Sequence, residues 1–168
     1  MGTGKSTVAR ALADKMNRIF IDMDILIEEK EGKSIADIFN QKGEVYFRKI
    51  EKTILSEITK RERLVIATGG GTLLDEHNYQ LVHKNSIVIL LQANPEIIYN
   101  RLKTEDSRPL LSGENKFYRI INLMNQREAK YSRFEHCIDT SNLTVTQVVN
   151  KITKICQKGY DEKNITEI

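Results

Sequence analysis

The sequence predicts an α/β domain layered around a parallel sheet, and three observations carry that expectation. Short apolar runs alternate with longer stretches whose apolar residues recur at helical spacing, the pattern of parallel strands joined by crossover helices. Gly2-Thr3-Gly4-Lys5-Ser6-Thr7 is a glycine-rich loop that runs directly into such a helical stretch. Three apolar runs also end in polar or glycine-rich sequence: Asp22-Met23-Asp24, Thr68 to Thr72, and Asp139-Thr140-Ser141. In an open parallel sheet, ligands bind beyond the carboxyl ends of the strands, so these segments and the loop are expected to converge on one edge.

The elements follow in order. Val8, Ala11, Leu12 and Met16 give the helix after the loop its apolar side. Ile19-Phe20-Ile21 is a short strand ending at Asp22. Ser34, with Asp37 three residues on, predicts an N-cap for a small helix through Phe39. From about Glu44 to Lys60, Phe47, Ile50, Ile54 and Ile58 form an apolar helical stripe. Leu64-Val65-Ile66-Ala67 is a buried strand leading into the glycine triplet, and Ser86 to Leu91 is another. Asn94-Pro95 then starts a helix with proline at its first position. Cys137-Ile138-Asp139 is a last short strand, and Thr144 to Cys156 a closing helix with Val145, Val148, Val149 and Ile152 on one side.

Size and composition bound the rest. A chain of 168 residues, 40% hydrophobic and 29% charged, suits one globular domain, expected at 1–158 with a polar tail at 159–168. A net charge of +3 gives no support for nucleic-acid binding, and Lys60-Arg61-Glu62-Arg63 reads as a solvated helix end. No apolar run is long enough to span a membrane. Cys137 and Cys156 form no C-x-x-C and read as buried or inert thiols in a reducing cytoplasm. His77, His83 and His136 lack metal-ligand spacing.

The loop carries the strongest chemistry. Its glycines let successive N–H groups curl around phosphate oxygens, Lys5 adds a positive charge, Ser6 offers a hydroxyl to Mg²⁺, and the helix points its positive end at the same anion. The complete pattern has a glycine five residues before Gly4 and a strand feeding it. This sequence begins at Met1, so the expectation is a sheet lacking its central first strand, with Met1 to Gly4 frayed.

Asp22 and Asp24 differ by two positions. In an extended segment both carboxylates face one side; one could hold Mg²⁺ and the other an alcohol. The plain alternative is a helix cap at Asp24 and a solvated turn residue at Asp22. The triplet Gly69-Gly70-Gly71 exposes backbone N–H groups and lets a ligand come close, or is a flexible turn. Arg48 has Glu44 and Glu51 on its own helix face. With Phe47 beside it, the group reads as a partly buried anion site, or else as a surface ion cluster. The polar stretch 104–115 around Arg108-Pro109-Leu110-Leu111 reads as a flap whose Arg108 could close over a transferring phosphoryl group. Arg119, Arg127 and Arg133, taken singly, read as solvent-facing.

In this order along nearly the whole chain, the pieces resemble shikimate kinase. They are Gly2 to Thr7 and its helix, Asp22-Met23-Asp24, Ser34-Ile35-Ala36-Asp37-Ile38-Phe39, Gly43-Glu44, Phe47-Arg48 and Glu51. Gly69-Gly70-Gly71, Arg108-Pro109-Leu110-Leu111, and Arg127 with Tyr131 complete the set. The resemblance implies a three-layer α/β/α phosphate-loop fold of the nucleoside-monophosphate-kinase-like branch. It implies transfer of the γ-phosphoryl of ATP to the 3-hydroxyl of shikimate with Mg²⁺, by a cytoplasmic monomer binding only small molecules. It also implies roles. Gly2, Thr3, Gly4, Lys5, Ser6 and Thr7 would bind the phosphates, Ser6 and Asp22 the metal. Asp24 would hold or deprotonate the hydroxyl, and Arg48 and Arg127 would clamp the carboxylate, with Glu51 steadying Arg48. Gly69, Gly70 and Gly71 would meet the substrate, Arg101 and the Asp139 to Asn142 turn the adenine, and Arg108 the transferring charge. A gluconate kinase, or a nucleotide-binding protein without turnover, is the alternative.

Overall fold

The computed structural model describes residues 2–84, 86–103 and 115–165, with side chains through 158. In chain order the elements are α1 (Lys5–Met16), β1 (Ile19–Asp22), α2 (Met23–Glu31), α3 (Ile35–Ile58), β2 (Leu64–Ala67) and a 3₁₀ turn (Thr72–Leu74). They continue as α4 (Glu76–His83), β3 (Ile89–Gln92), α5 (Pro95–Leu102), α6 (Lys116–Tyr131), β4 (His136–Asp139) and α7 (Val145–Ile165). All strand pairing is parallel. β1 lies on β2 with Ile19 opposite Leu64 and Asp22 opposite Ala67; β3 lies on β4 with Ile89 opposite His136 and Gln92 opposite Asp139. Among the described residues the two pairs share no ladder.

The alternation of side chains along β2 builds the layers. Leu64 and Ile66 pack on one core with Met23, Ile27, Ile38, Phe47, Ile54, Leu55, Ile58 and Val82, from α2, α3 and α4. Val65 points the other way, into a core of Val8, Leu12, Leu91, Ile138, Val148, Val149 and Ile152, from α1, α7 and the second strand pair. A smaller cluster, Ala93, Ile98, Leu102 and Ile120, ties α5 to α6.

Local signals act where expected, with several differences, among them α7, which runs on to Ile165 rather than ending near Cys156 and leaves Val145 exposed. Ser34 Oγ accepts from Asp37 N at 3.1 Å, and the small helix and the long one are separated by Gly43, at φ 77° and ψ 172°, a conformation open to glycine. Helix α2 begins at Met23, capped by Asp22, whose Oδ1 accepts from Asp24 N at 3.0 Å. The two aspartates are therefore a cap and a first-turn residue rather than neighbours on an extended segment. The expected strand at Ser86 is confined to Ile89–Gln92, because its ladder partner β4 has only four residues. Cys137 is exposed rather than buried and Cys156 half-buried. Desolvation raises both thiols, with Asp139 adding to the effect at Cys137, so neither is an activated nucleophile.

β2 and β3 each have one ladder partner among the described residues, and β3 lines a cavity of about 360 Å³. An N-terminal extension supplying an apolar strand that ends in Gly, followed by two further residues before Gly2, should satisfy both free edges. It is expected to raise the thermal midpoint by several degrees, since each kcal/mol is worth about 2–4 °C in a chain of this size. Matching midpoints with and without the extension would show that this slot does not take a strand.

Candidate active site

The phosphate loop is held in place before any ligand arrives. Gly2 sits at φ 66° with Leu102 and Ile98 so close that an added Cβ would stand 2.9 Å from Leu102 Cδ1. Its carbonyl accepts from Arg101 Nη1 at 3.2 Å. Thr3 is buried, and its carbonyl accepts from Thr140 Oγ1 at 3.2 Å. Arg101 also reaches the Thr140 carbonyl at 3.4 Å. The expected fraying therefore does not extend to Gly2 or Thr3: α5 and the turn after β4 fasten both. Gly4 caps α1 at φ 87° without a side-chain cap bond, which leaves the first-turn N–H groups aimed at an incoming anion. Lys5 lines the cavity together with Thr68, Gly69, Gly70, Arg127 and Asp139.

Ser6 and Asp22, the two expected metal residues, line one groove with Thr7, Arg10 and Asp14. One hydroxyl and one carboxylate beside a phosphate loop fit Mg²⁺, which takes few protein ligands and keeps waters and phosphate oxygens. Asp24, in the first turn of α2, reaches the glycine triplet: a Cβ on Gly69 would lie 3.3 Å from its Oδ1.

Gly69 and Gly71 leave space that charged side chains occupy. A Cβ on Gly69 would meet Glu51 Oε1 at 2.9 Å, and one on Gly71 would meet Arg48 Nη2 at 2.8 Å. Arg48 donates through Nη1 to Glu51 Oε2 at 2.8 Å and through Nη2 to Glu44 Oε1 at 3.0 Å. Its side chain remains 31% exposed, while Glu51 is 1% exposed. Burial lowers the Arg48 pKa, but Glu51 and Glu44 outweigh that and raise it overall, so the cation is permanent. Phe47 is buried under the guanidinium, 5.2 Å away, and packs against Phe39 at a tilt of 45°.

Helix α6 closes the opposite side. Arg127, 9% exposed rather than solvent-facing, donates through Nη1 to Gly70 O at 3.2 Å, and Tyr131 Oη donates to the same oxygen at 2.5 Å. Lys130 Nζ donates to Leu74 O at 3.0 Å. Arg133, also not solvent-facing, donates to Leu73 O and Glu76 and lies 3.7 Å from the Tyr79 ring centroid. Arg119 is exposed, as expected. Arg108 and the flap at 104–114 lie outside the described residues.

A family model described as shikimate kinase matches residues 1–157. The chain belongs to the shikimate kinase family. It is 41% identical over 154 residues to the shikimate kinase of Thermodesulfovibrio yellowstonii, covering 92% of this chain and 89% of that protein. Its fold matches a shikimate kinase from Acinetobacter baumannii, solved in complex with shikimate, at a TM-score of 0.90 and 35% identity, covering 95% and 89% of the two chains. A gluconokinase from Sinorhizobium meliloti, at 13% identity and a TM-score of 0.58, shares the fold alone. The phosphate-loop α/β fold expected from the sequence is thereby shown, and this family member is an ATP-dependent phosphotransferase.

Some participants carried no sequence signal of their own. Thr140 follows a strand end and was visible only as part of a turn. Thr72 and Asn78, both buried, looked like ordinary residues after a glycine run; the Asp75 cap, whose Oδ1 accepts from Asn78 N, was the nearest available hint. Arg133 was indistinguishable from any basic residue at a helix end.

The contacts at Gly71 give a test that separates site from scaffold. Its φ of −105° is open to any residue, and the atoms an added methyl would meet belong to the mobile end of Arg48. Gly71→Ala should therefore displace the guanidinium without straining the backbone. We expect the KM for the phosphoryl acceptor to rise while the KM for ATP stays unchanged. A fall in midpoint with no acceptor effect would place the constraint in the fold instead.

Proposed function

We propose that this chain transfers the γ-phosphoryl group of ATP to the 3-hydroxyl of shikimate, giving shikimate 3-phosphate and ADP. The observation that carries the reading is the convergence of two arginines from different helices on the glycine triplet. Arg48 of α3 rests against Gly71, and Arg127 of α6 reaches Gly70 O. Two guanidinium groups beside one turn fit a carboxylate-bearing acceptor. Arg127, Gly69 and Gly70 line a cavity that also holds Lys5, where the phosphates would lie.

The chemistry divides accordingly. The loop N–H groups and Lys5 receive the β- and γ-phosphates. Ser6 and Asp22, which line one groove, would hold Mg²⁺, which when bound would neutralise phosphate charge. Asp24, beside Gly69, orients the acceptor hydroxyl and takes its proton as the oxygen attacks. Arg101, beside the turn after β4, borders the adenine, and Arg108 closes over the transferring group. Phosphoryl transfer needs little covalent help, so positioning and electrostatics carry the catalysis. We place the enzyme in the cytoplasm as a monomer acting on small molecules; among the described residues no helix is long and apolar enough to cross a membrane.

ADP release with shikimate, with gluconate and with neither tests the reading: shikimate alone should stimulate it. Lys5→Met should abolish transfer while the far-UV spectrum stays native, because Lys5 neutralises phosphate charge at the cavity wall. Near-normal turnover in that variant would remove the loop from the mechanism.

Arg48→Ala or Arg127→Ala should weaken shikimate binding about ten- to a hundredfold, the equivalent of one lost charge-assisted contact of about 1.5–3 kcal/mol, and spare ATP. Shikimate methyl ester should be a correspondingly poor substrate. Equal use of ester and acid would show that no carboxylate is being clamped.

A further inference from the structure

The Arg48–Glu51 ion pair leaves one atom of the site to be accounted for. Glu51 Oε2 is taken by Arg48, but the side chain is 1% exposed and its other oxygen is out of reach of bulk water. Oε1 accepts from Thr72 Oγ1 at 2.6 Å, a buried bond spanning 21 residues of sequence. Thr72 is itself 0% exposed and fixed on every polar side. Its N donates to Gly69 O at 3.2 Å, its carbonyl accepts from Asn78 Nδ2 at 2.9 Å, and its hydroxyl is committed to Glu51. Asn78 is 2% exposed and sits in the first turn of α4, where its N–H is taken by the Asp75 cap at 3.0 Å. A continuous buried relay thus runs from α4 through Thr72 and Glu51 to the guanidinium of Arg48.

We propose that Thr72 is a positioning residue for the acceptor site: its hydroxyl fixes the Glu51 carboxylate, and through it the pose of Arg48. Thr72 touches no substrate atom in this scheme. It works because a buried carboxylate oxygen without a donor is costly, so Glu51 turns to wherever a donor is. With Thr72 in place, the one orientation that satisfies Oε1 also presents Oε2 to Arg48. A Cβ on Gly69 would stand 2.9 Å from Glu51 Oε1 and 3.0 Å from Thr72 Oγ1, so the bonded pair occupies space that only a glycine at 69 leaves open. The reach of the relay is specific. It ends at Arg48 and the acceptor side, and it includes no residue of the phosphate loop.

The inference rests on the reading of Arg48 as an acceptor-binding group, and the test separates the two. Thr72→Val keeps the shape and removes the donor; Thr72→Ser keeps the donor. Valine is expected to raise the shikimate KM about tenfold, one lost buried hydrogen bond to a charged group, with the ATP KM unchanged. Serine is expected to restore the parent value. Thr72→Ala, which leaves space for a water at Oε1, is the second variant should valine fail to fold, and should show the same split to a smaller degree. The guanidinium nitrogen signals of Arg48, assigned by their loss in Arg48→Lys, give a readout that needs no substrate. They should shift in the valine or alanine variant and stay in place in the serine one. Unmoved Arg48 signals in valine or alanine would overturn the relay whether or not the chain uses shikimate. A valine variant that weakens ATP and shikimate together, or a serine variant that fails to rescue, would reduce Thr72 to a structural residue. Shifted signals with no turnover of shikimate by the parent would uphold the relay and reject the substrate.

Discussion

The candidate site depends on one buried carboxylate. Glu51 lies in the middle of α3 with 1% of its surface exposed, where an unpaired charge would be untenable. Its compensation comes from two directions: Arg48 along the same helix and Thr72 across the gap to the 3₁₀ turn. Removing one partner of a buried ion pair typically costs about 3–5 kcal/mol, a large share of the stability of a single domain. The arrangement therefore locks α3 to the glycine triplet, and an arginine that would otherwise sample many rotamers becomes a fixed donor. The same packing explains two of the three glycines. Side chains at 69 and 71 would occupy the space that Glu51 and Arg48 require.

A second constraint acts at the other end of the cavity. A phosphate loop binds only if its N–H groups are aimed before the ligand arrives, because ordering the backbone costs about 1–2 kcal/mol per residue. Here the aim comes from neighbours distant in sequence. Arg101 holds the Gly2 carbonyl and Thr140 the Thr3 carbonyl, while Leu102 and Ile98 pack on Gly2. Thr140 is in turn bound to the end of β3 through Gln92 O, at 2.8 Å from its N–H. The loop thus takes its position from the second strand pair, whereas the acceptor side takes its position from α3, α4 and α6. The two substrates would meet where these two halves, tied together by the packing of α5 on α6, face each other across the cavity.

Much of this was written locally in the chain. The phosphate loop and the cap at Ser34 each depend on a few adjacent residues, and each appears where sequence predicts it. The apolar periods of α1, α3 and α7 likewise mark their buried faces, Val145 apart, which is exposed at the start of α7, since burial is decided by spacing along a single element. The family, too, was legible, because the order of its motifs survives as a linear string.

What the sequence could not determine is which polar groups would be removed from water together. Asp22 and Asp24 fit a shared extended face until the start of α2 at Met23 made one of them the cap of the other's helix. Arg127 and Arg119 are alike on paper, yet one is buried against Gly70 and the other exposed, because only the first projects towards the glycine turn. Thr72 and Asn78 carry no motif at all; they matter because folding places them beside a carboxylate 21 residues away from Thr72. Local sequence determines dihedrals and periodicity, which are properties of neighbours in the chain. Desolvation and partner choice are properties of neighbours in space, and the tertiary structure alone supplies those.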